Sequence, residues 1–296
     1  MWEELNKKAV DLFQNGKYAE AVETAKTALE GAEKAFGPDG PRVARNLNNL
    51  AEMYRAQVKY ADAEPLWERA LAIREKELGK DHPDVATSLN NLAGAYFEQG
   101  RLSEAEPLFR RAISILERSL GPDHPDIATS LNNLAAVNRA MGKYPAAKPL
   151  YDRALAILEK TLGPDHPEVG TCLNNLAGLY DSQERYKDAE PLYRRALKIA
   201  ENTFGPDHPH VAASLNSLGG TLVGLGKYHE AEVVLVRAQA IMERAYGISH
   251  PYVATGLENL ADFYEGTGRV QEAQSLKARA RELRKDILKR HEEAGR

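Results

Sequence analysis

Five histidines stand at a constant spacing of 42 residues, which makes them the first candidates for chemistry in this chain. The column consists of His82, His124, His166, His208 and His250, and a proline directly follows each of them. A zinc ion needs several ligand atoms at ~2.0–2.1 Å, whereas one histidine per repeat places neighbouring members on separate units roughly 8–10 Å apart. We therefore expect these histidines to cap helices or to pack in linkers, and we predict no metal site.

Other features that could carry catalysis or bind a cofactor have simpler explanations. Cys172 is the only cysteine, and its column holds serine in other repeats, which indicates a small packed residue. The glycine-rich segment 219–227 lacks the spacing and the Ser/Thr of a phosphate-binding loop. Carboxylates recur with the repeat, and Glu106 and Arg110 have the i, i+4 spacing of a surface ion pair. The sequence thus predicts a protein that is not an enzyme and that uses no cofactor.

Paired asparagines are the polar feature that does ask for a function. The block Leu-Asn-Asn-Leu starts at residues 47, 89, 131 and 173 and weakens to Leu-Asn-Ser-Leu at 215. Asparagine costs about half a kcal/mol relative to alanine inside a helix. Its carboxamide has two donors and two acceptors, so it can pair with the N–H and C=O groups of an extended peptide. The alternative is that one asparagine column bonds between adjacent repeats and holds them together.

The elements that must position these side chains form a repeat of 42 residues. The block LGPDHPDI at 120–127 has relatives that start at 36, 78, 162, 204 and 246, without insertion or deletion. Between Pro83 and Glu98 the apolar residues follow the stripe of an amphipathic helix, and a second stripe runs from Leu102 to Leu116. Strand-like alternation is absent. Each repeat is therefore predicted to be a helical hairpin that buries its apolar face by stacking on its neighbours.

Glycine and proline mark where the helices begin and end. Gly79 and its equivalents are expected to close the second helix of each hairpin in a left-handed conformation. Pro83 and its equivalents fit the first turn of the following helix, where a missing N–H is tolerated. A further proline column that includes Pro65 belongs in the first turns of the second helices. Those helices must therefore begin close to residues 60, 102, 144 and 186.

One pattern carries a family resemblance, namely Leu89-x2-Leu92-Ala93-x2-Tyr96-x3-Gly100-x4-Ala105-x3-Phe109-x2-Ala112. It resembles the tetratricopeptide repeat, whose usual period is 34 residues, and the 42-residue period is similar to that of kinesin light chain repeats. The resemblance implies an all-α fold, a right-handed α-solenoid of about seven helical hairpins that forms a single domain over 1–296. The expected hairpins are about 1–36, 41–78, 83–120, 125–162, 167–204, 209–246 and 251–292, and the last helix is a polar cap.

The resemblance also implies a concave groove lined by the first helix of each hairpin. Carried onto this sequence, the groove positions are Asn48, Asn90, Asn132, Asn174 and Asn216, then Asn49, Asn91, Asn133 and Asn175, then Thr87, Thr129, Thr171 and Arg45, and finally Arg55, Phe97 and Arg139. With hairpins ~10 Å apart and ~3.3 Å per extended residue, each hairpin would span about three peptide residues. The groove would then hold roughly 15 residues over five hairpins.

Charge along the predicted groove is mixed. The resemblance to kinesin light chains implies recognition of tryptophan- or tyrosine-acidic peptides in a basic groove. Here Arg45, Arg55 and Arg139 lie toward the N-terminal half, whereas Asp181 and Glu258 lie toward the other end, together with Asp262 and Glu265. An acidic ligand would therefore lie across repeats two to four.

Composition excludes several other classes of function. The chain has 296 residues with 39 Lys and Arg against 43 Asp and Glu, a net charge of −4 that argues against nucleic-acid binding. No apolar stretch is long enough to span a membrane, and no secretory signal is present, so we expect a cytoplasmic protein without a membrane partner. The predicted function is a non-catalytic scaffold that binds an extended segment of a partner protein. The alternatives are a structural module that self-associates weakly through the solenoid ends, or the regulatory arm of a larger signalling protein.

Overall fold

A computed structural model describes residues 2–294, and every helix in this range belongs to a helical hairpin. The fourteen helices of the described residues are α1 (Trp2–Gln14), α2 (Tyr18–Phe36), α3 (Pro41–Ala56), α4 (Tyr60–Leu78), α5 (Pro83–Glu98), α6 (Leu102–Leu120), α7 (Pro125–Ala140), α8 (Tyr144–Leu162), α9 (Pro167–Asp181), α10 (Tyr186–Phe204), α11 (Pro209–Gly224), α12 (Tyr228–Tyr246), α13 (Pro251–Gly266) and α14 (Val270–Ala294). Odd-numbered helices are called A helices below, and even-numbered helices B helices. The predicted all-α fold of about seven hairpins is confirmed, and the second helices begin at the predicted residues 60, 102, 144 and 186.

The chain divides into two compact units at Ile157 and Leu158, within α8. Inside the first unit, each helix from α1 to α6 packs on the next one along the chain, and α6 packs on α7. Inside the second unit, the same sequential packing runs from α9 to α14. Neighbouring A helices also touch, for example α5 with α7 and α9 with α11. That the whole chain forms a single solenoid domain stays a prediction.

Large side chains of the B helices fill the interior of each hairpin. Trp67 and Tyr151 are fully buried and Phe109 is 1% exposed, so each removes a large apolar surface from water. Burial of one such side chain contributes about 1.5–3 kcal/mol. Alanines on the facing helices, such as Ala93 and Ala135, have no exposed surface and let the backbones approach closely. The apolar stripes predicted from the sequence are therefore the packed faces.

The histidine column caps the A helices, which confirms that prediction. In α5, the Nδ1 atom of His82 accepts a hydrogen bond from the backbone N–H of Asp84, two residues further along the chain. The other four histidines repeat this bond at the starts of α7, α9, α11 and α13, with N···N distances between 3.2 and 3.3 Å. Among the residues that the structure describes, no group of three His, Cys, Asp or Glu side chains could hold a metal ion.

The glycines that follow the B helices differ from the prediction in one torsion angle. Gly79 has the expected positive φ of 85°, but its ψ of 154° is extended rather than left-handed helical. Its N–H still completes the helix by donating to the carbonyl of Glu75 at 3.1 Å, and its carbonyl accepts from the N–H of His82 at 3.3 Å. The extended ψ lets the chain leave α4 and reach the first turn of α5 within four residues. Only glycine adopts this conformation readily.

A ladder of arginine–glutamate pairs joins successive B helices. Arg111 of α6 contacts Glu75 of α4 at 2.6 Å, and its guanidinium also donates to the Lys80 carbonyl at 3.4 Å. The same spacing recurs along the chain, and the B-helix ladder comprises Arg69–Glu33, Arg111–Glu75, Arg153–Glu117, Arg195–Glu159, Arg237–Glu201 and Arg279–Glu243. Every pair is partly exposed, so each contributes modestly, at most about 1 kcal/mol. Its regular repetition fixes how one hairpin is placed on the next.

Among the described helices, none combines the length and the apolar character that crossing a membrane requires.

Candidate functional site

The predicted groove residues lie on the A helices. The asparagines stand in pairs on α3, α5, α7 and α9, with Asn216 alone on α11, and all of them are half-buried. Thr87, Thr129 and Thr171 are exposed one turn before these asparagines, on the same helices. Arg45 is exposed near the start of α3. Arg55, Phe97 and Arg139 are half-buried in the last turns of α3, α5 and α7.

The second asparagine column forms hydrogen bonds between hairpins. The Nδ2 of Asn91 in α5 donates to Oδ1 of Asn48 in α3 at 2.7 Å. Likewise, Nδ2 of Asn49 donates to Oδ1 of Asn6 in α1 at 3.1 Å. These bonds support the structural alternative for this column, because they tie adjacent A helices together.

The first column contains acceptors that the protein itself does not satisfy. Asn90 uses its Nδ2 to donate to Oγ of Ser130 on α7 at 2.7 Å, but its buried Oδ1 has no hydrogen-bond donor among the described residues. The Oδ1 of Asn174 on α9 is also buried without a donor. A buried acceptor without a partner costs about 1–3 kcal/mol, so a donor that reaches either of these two oxygens would stabilise the protein.

Asn90 lines a pocket of about 470 Å³ that opens on α5 and α7. The lining residues are Glu52, Arg55, Asn90, Asn91, Gly94, Phe97, Glu98, Phe109 and Asn133. Five of them are predicted groove residues, namely Arg55, Asn90, Asn91, Phe97 and Asn133. Space remains above Gly94, because an added Cβ would meet no atom within 4 Å outside its own helix backbone. The pocket therefore has a polar wall of carboxamides beside an aromatic surface.

Asn174 lines a second, smaller pocket of about 290 Å³ within the second unit. Thr171, Ala196 and Ile199 contribute to its lining, together with Ala200 of α10. At the position of Ala200, the preceding two hairpins have Leu116 and Leu158. The shorter side chain leaves the space that a leucine would fill.

The protein itself neutralises the predicted positive charge of the groove at one of its three arginines. Arg55 pairs with Glu52 at 2.9 Å and with Glu98 at 2.6 Å. Burial lowers the pKa of Arg55, but the two carboxylates outweigh this effect and the pKa is raised. Arg139 makes no ion pair among residues 2–294. Of the three predicted arginines, Arg55 therefore carries no uncompensated charge for an acidic ligand.

The acidic residues at the other end are engaged as well. Glu258 of α13 forms a two-pronged pair with Arg284 of α14, and Lys277 of α14 pairs with Asp262 and Glu265. The carboxylate of Asp181 accepts a hydrogen bond from the Thr221 hydroxyl at 2.9 Å. These side chains hold α14 on α13 and α9 on α11. Acidic residues at these positions therefore have a structural role that needs no ligand.

Comparison with known proteins agrees with the geometry of the hairpins. The family model of the tetratricopeptide repeat (TPR) matches residues 4–64, 43–118, 84–160, 126–202, 182–244 and 211–286. The chain belongs to the tetratricopeptide repeat family. TPR arrays are generally non-catalytic modules for protein–protein interaction, and that this one lacks an enzymatic activity stays a prediction. No curated protein gives a significant match.

Solved TPR structures include neighbours of the kinesin light chain type. A putative kinesin light chain with nearly identical TPR-like repeats from Podosopora anserina is 29% identical, with a TM-score of 0.58 over 70% of this chain and 98% of that one. BtubC (BKLC) from P. vanneervenii is 24% identical, with a TM-score of 0.64 over 78% of this chain and 91% of that one. The predicted resemblance to kinesin light chain-like TPR proteins is confirmed.

A third neighbour shares only the fold. The Rap protein complexed with competence and sporulation factor has a TM-score of 0.70 and covers 97% of this chain and 76% of its own. Its identity to this TPR chain is 17%.

Three residues of the Asn90 pocket region were not predicted from the sequence. The sequence predicts Phe109 to be a core residue of a B helix, because it belongs to an apolar column of the repeat. It predicts Ser130 to be a small packed residue, because its column holds small side chains. Glu98 lies in the last turn of α5 and gave no signal of its own. Their proximity to Asn90 depends on how one TPR hairpin stacks on the next, which spacing along the chain does not reveal.

Proposed function

We propose that this TPR chain is a non-catalytic scaffold that binds an extended peptide segment of a partner protein along the A helices of its first unit. The observation that carries the proposal is the buried Oδ1 of Asn90, which lines a pocket and lacks a donor among the described residues. A peptide backbone N–H is the donor that an extended ligand offers at every second residue on each side. Binding would satisfy the acceptor that the free protein leaves unpaired.

The other lining residues suit the same ligand. Asn133 can bond a second backbone group, since no hydrogen bond engages its carboxamide among the residues described. The open space at Gly94 allows a peptide backbone to come close to α5. Phe97 offers an aromatic surface for one side chain of the ligand. With about three peptide residues for each A helix, α3, α5 and α7 would hold a segment of roughly nine residues.

The asparagines of this region therefore take different parts in this proposal, and each column contributes a residue to both parts. Asn90 and Asn133 contact the peptide, whereas the bond from Asn91 to Asn48 holds the A helices at the spacing that the peptide requires. The corresponding residues of the second unit, Asn174 and Thr171, line a pocket of their own and form a separate candidate subsite.

Selection from a random peptide display library, followed by affinity measurement, tests the proposal. The double variant Asn90→Ala/Asn133→Ala should weaken the best binder by about 5- to 150-fold, because two backbone hydrogen bonds are lost, each of about 0.5–1.5 kcal/mol. Gly94→Leu should also weaken binding, because its side chain would fill the open space. Asn202→Ala is the matched control, since Asn202 is exposed on α10 outside both pockets.

Circular dichroism and the urea midpoint report whether each variant is folded. If the double variant binds the selected peptides as tightly as the wild type, Asn90 and Asn133 do not contact the ligand and the proposal is wrong. A library that yields no binder would also contradict it and would favour the self-associating module.

A further inference from the structure

One B-helix column changes chemistry at Arg74. From the second hairpin to the sixth, this column holds Arg74, Leu116, Leu158, Ala200 and Met242. The first hairpin has Ala32 at this place and the seventh has Arg284, which pairs with Glu258. Arg74 is therefore the arginine of this column that lacks an ion pair among the described residues. In α4 this arginine points between the starts of α3 and α5, where Nη1 donates to the Asp84 carbonyl at 3.1 Å and to Oγ of Ser88 at 2.7 Å.

The guanidinium of Arg74 is half-buried without a salt bridge. Its hydrogen-bond partners are a carbonyl and a hydroxyl, and no ion pair engages it among residues 2–294. Burial lowers the pKa of Arg74, and the nearby Asp84 carboxylate offsets this only in part. The arginines of the B-helix ladder, in contrast, each contact a glutamate. A partly desolvated cation without a direct ion pair is costly for a folded protein.

Two further arginines of the same region depart from the repeat. Arg45 stands where the following hairpins have Thr87 and Thr129, and Arg42 stands where they have Asp84 and Asp126. Arg42 already pairs with Glu3 at 3.1 Å. Arg45 has no ion pair among the described residues, and its guanidinium lies 5.9 Å from the centre of the Trp2 ring. Contact with this aromatic face helps to hold Arg45 beside the pocket.

All three arginines line one pocket of about 400 Å³ in the first unit. The remaining lining residues are Glu3, Pro41, Glu77, Leu78 and Asp84. Glu77 and Asp84 are exposed, so water and salt screen their charges more strongly than that of half-buried Arg74. Among the three arginines of this lining, Arg74 is half-buried, whereas Arg42 and Arg45 are exposed.

We propose that this pocket binds a phosphate group through the guanidinium groups of Arg74 and Arg45. Two guanidinium groups without salt bridges match the charge of about −1.5 to −2 that a phosphate monoester carries at pH 7, whereas a carboxylate would neutralise only one of them. Planar guanidinium groups also present paired N–H donors that fit two phosphate oxygens at once. The phosphate is either free in solution or carried by a side chain of a partner. This site is separate from the peptide pocket at Asn90 and does not depend on it.

Thermal unfolding and calorimetry with inorganic phosphate test the site, with chloride adjusted to keep the ionic strength constant. Phosphate should raise the Tm of the wild type, and Arg74→Leu should abolish this rise. Leucine is the residue of the next two hairpins, so the variant should fold, and without phosphate its Tm should exceed that of the wild type. Arg45→Thr should weaken phosphate binding at least tenfold. Arg118→Leu is the control, because Arg118 is exposed and pairs with Asp81 outside the pocket.

The proposal is overturned if phosphate raises the Tm of Arg74→Leu as much as that of the wild type, or if phosphate does not bind the wild type.

Once phosphate binding is established, three heptapeptides identify the source of the phosphate group. They carry phosphoserine, glutamate or serine between glycines. Tighter binding of the phosphoserine peptide than of inorganic phosphate supports a phosphorylated partner, and equal binding supports a free phosphate-sized anion. If the glutamate or the serine peptide bound as tightly as the phosphoserine peptide, the pocket would not recognise a phosphate group.

Discussion

Val58 holds its backbone at a φ of 60° in the turn between α3 and α4. Five other hairpins have glycine at this position, among them Gly100 with a φ of 73°. A β-branched residue in the left-handed region is strained by roughly 1–2 kcal/mol. Its side chain is 69% exposed, so it gains little from burial. We expect Val58→Gly to raise the free energy of unfolding by about 1 kcal/mol, measured by urea unfolding.

The reverse exchange is the control for this prediction. Gly100→Val places the same strained residue in the turn between α5 and α6, and it should lower the free energy of unfolding by a similar amount. If both exchanges changed stability in the same direction, backbone strain at this turn position would not be the cause.

The adjacent asparagines show where prediction from the sequence reaches its limit at the residue scale. Asn90 and Asn91 are neighbours of the same type on one helix, and both fit the groove positions of the family. The structure separates them, because Asn91 donates to Asn48 of the preceding A helix while the Oδ1 of Asn90 is left without a donor among the described residues. One helical step changes which neighbour each carboxamide faces, and that depends on the stacking of hairpins. For the same reason, the sequence did not reveal that Arg74, Arg45 and Arg42 share a pocket.

Helix boundaries, in contrast, follow from local chemistry and could be predicted closely. Proline in the first turn, histidine before it and glycine after the preceding helix each act within a few residues of the chain. The repetition of these signals from the third hairpin to the seventh made the starts at Pro83 and Leu102 predictable without knowledge of the packing. What local signals missed was the extended ψ at Gly79, since it depends on the direction in which the next helix leaves.

The histidine caps provide a test at the element scale. His124→Ala should lower the free energy of unfolding by about 1 kcal/mol, because the N–H of Asp126 loses its acceptor at the start of α7. His124→Asn should retain most of the stability, since asparagine is a good N-cap residue. Equal losses in the two variants would mean that the imidazole contributes through packing and not through its Nδ1 acceptor. Gly40, the N-cap residue of α3, makes no side-chain cap hydrogen bond, so the fold tolerates the absence of this bond at one helix.

Across the whole molecule, one carboxylate column links successive B-helix starts. Glu106 of α6 contacts Lys143 at 2.8 Å and Arg110 of its own helix at 2.8 Å. Glu190 of α10 repeats the arrangement in the second unit, with Lys227 and Arg194. Both carboxylates are among the least exposed of the ion pairs, at 17% and 16%. The fold therefore relies at equivalent places in both units on carboxylates that must stay ionised.

These carboxylates predict how stability changes in acid. Hydrogen bonds from Lys143 and Arg110 lower the pKa of Glu106 below its ordinary value of 4.5, and those from Lys227 and Arg194 lower that of Glu190. Because the unfolded chain then binds protons at a higher pH than the folded one, the stabilisation is complete above about pH 5 and is lost as the pH falls through the folded pKa values. Glu106→Gln/Glu190→Gln should lower stability at pH 7 by up to about 1 kcal/mol for each site, and its urea midpoint should fall less steeply between pH 5 and 3 than that of the wild type. Glu30→Gln removes an exposed carboxylate without an ion pair among the described residues. Its urea midpoint should therefore fall with pH as that of the wild type does. If the urea midpoint of the double variant fell as steeply between pH 5 and 3 as that of the wild type, other groups would cause the acid sensitivity. The carboxylate column would then contribute little to the stacking of the hairpins.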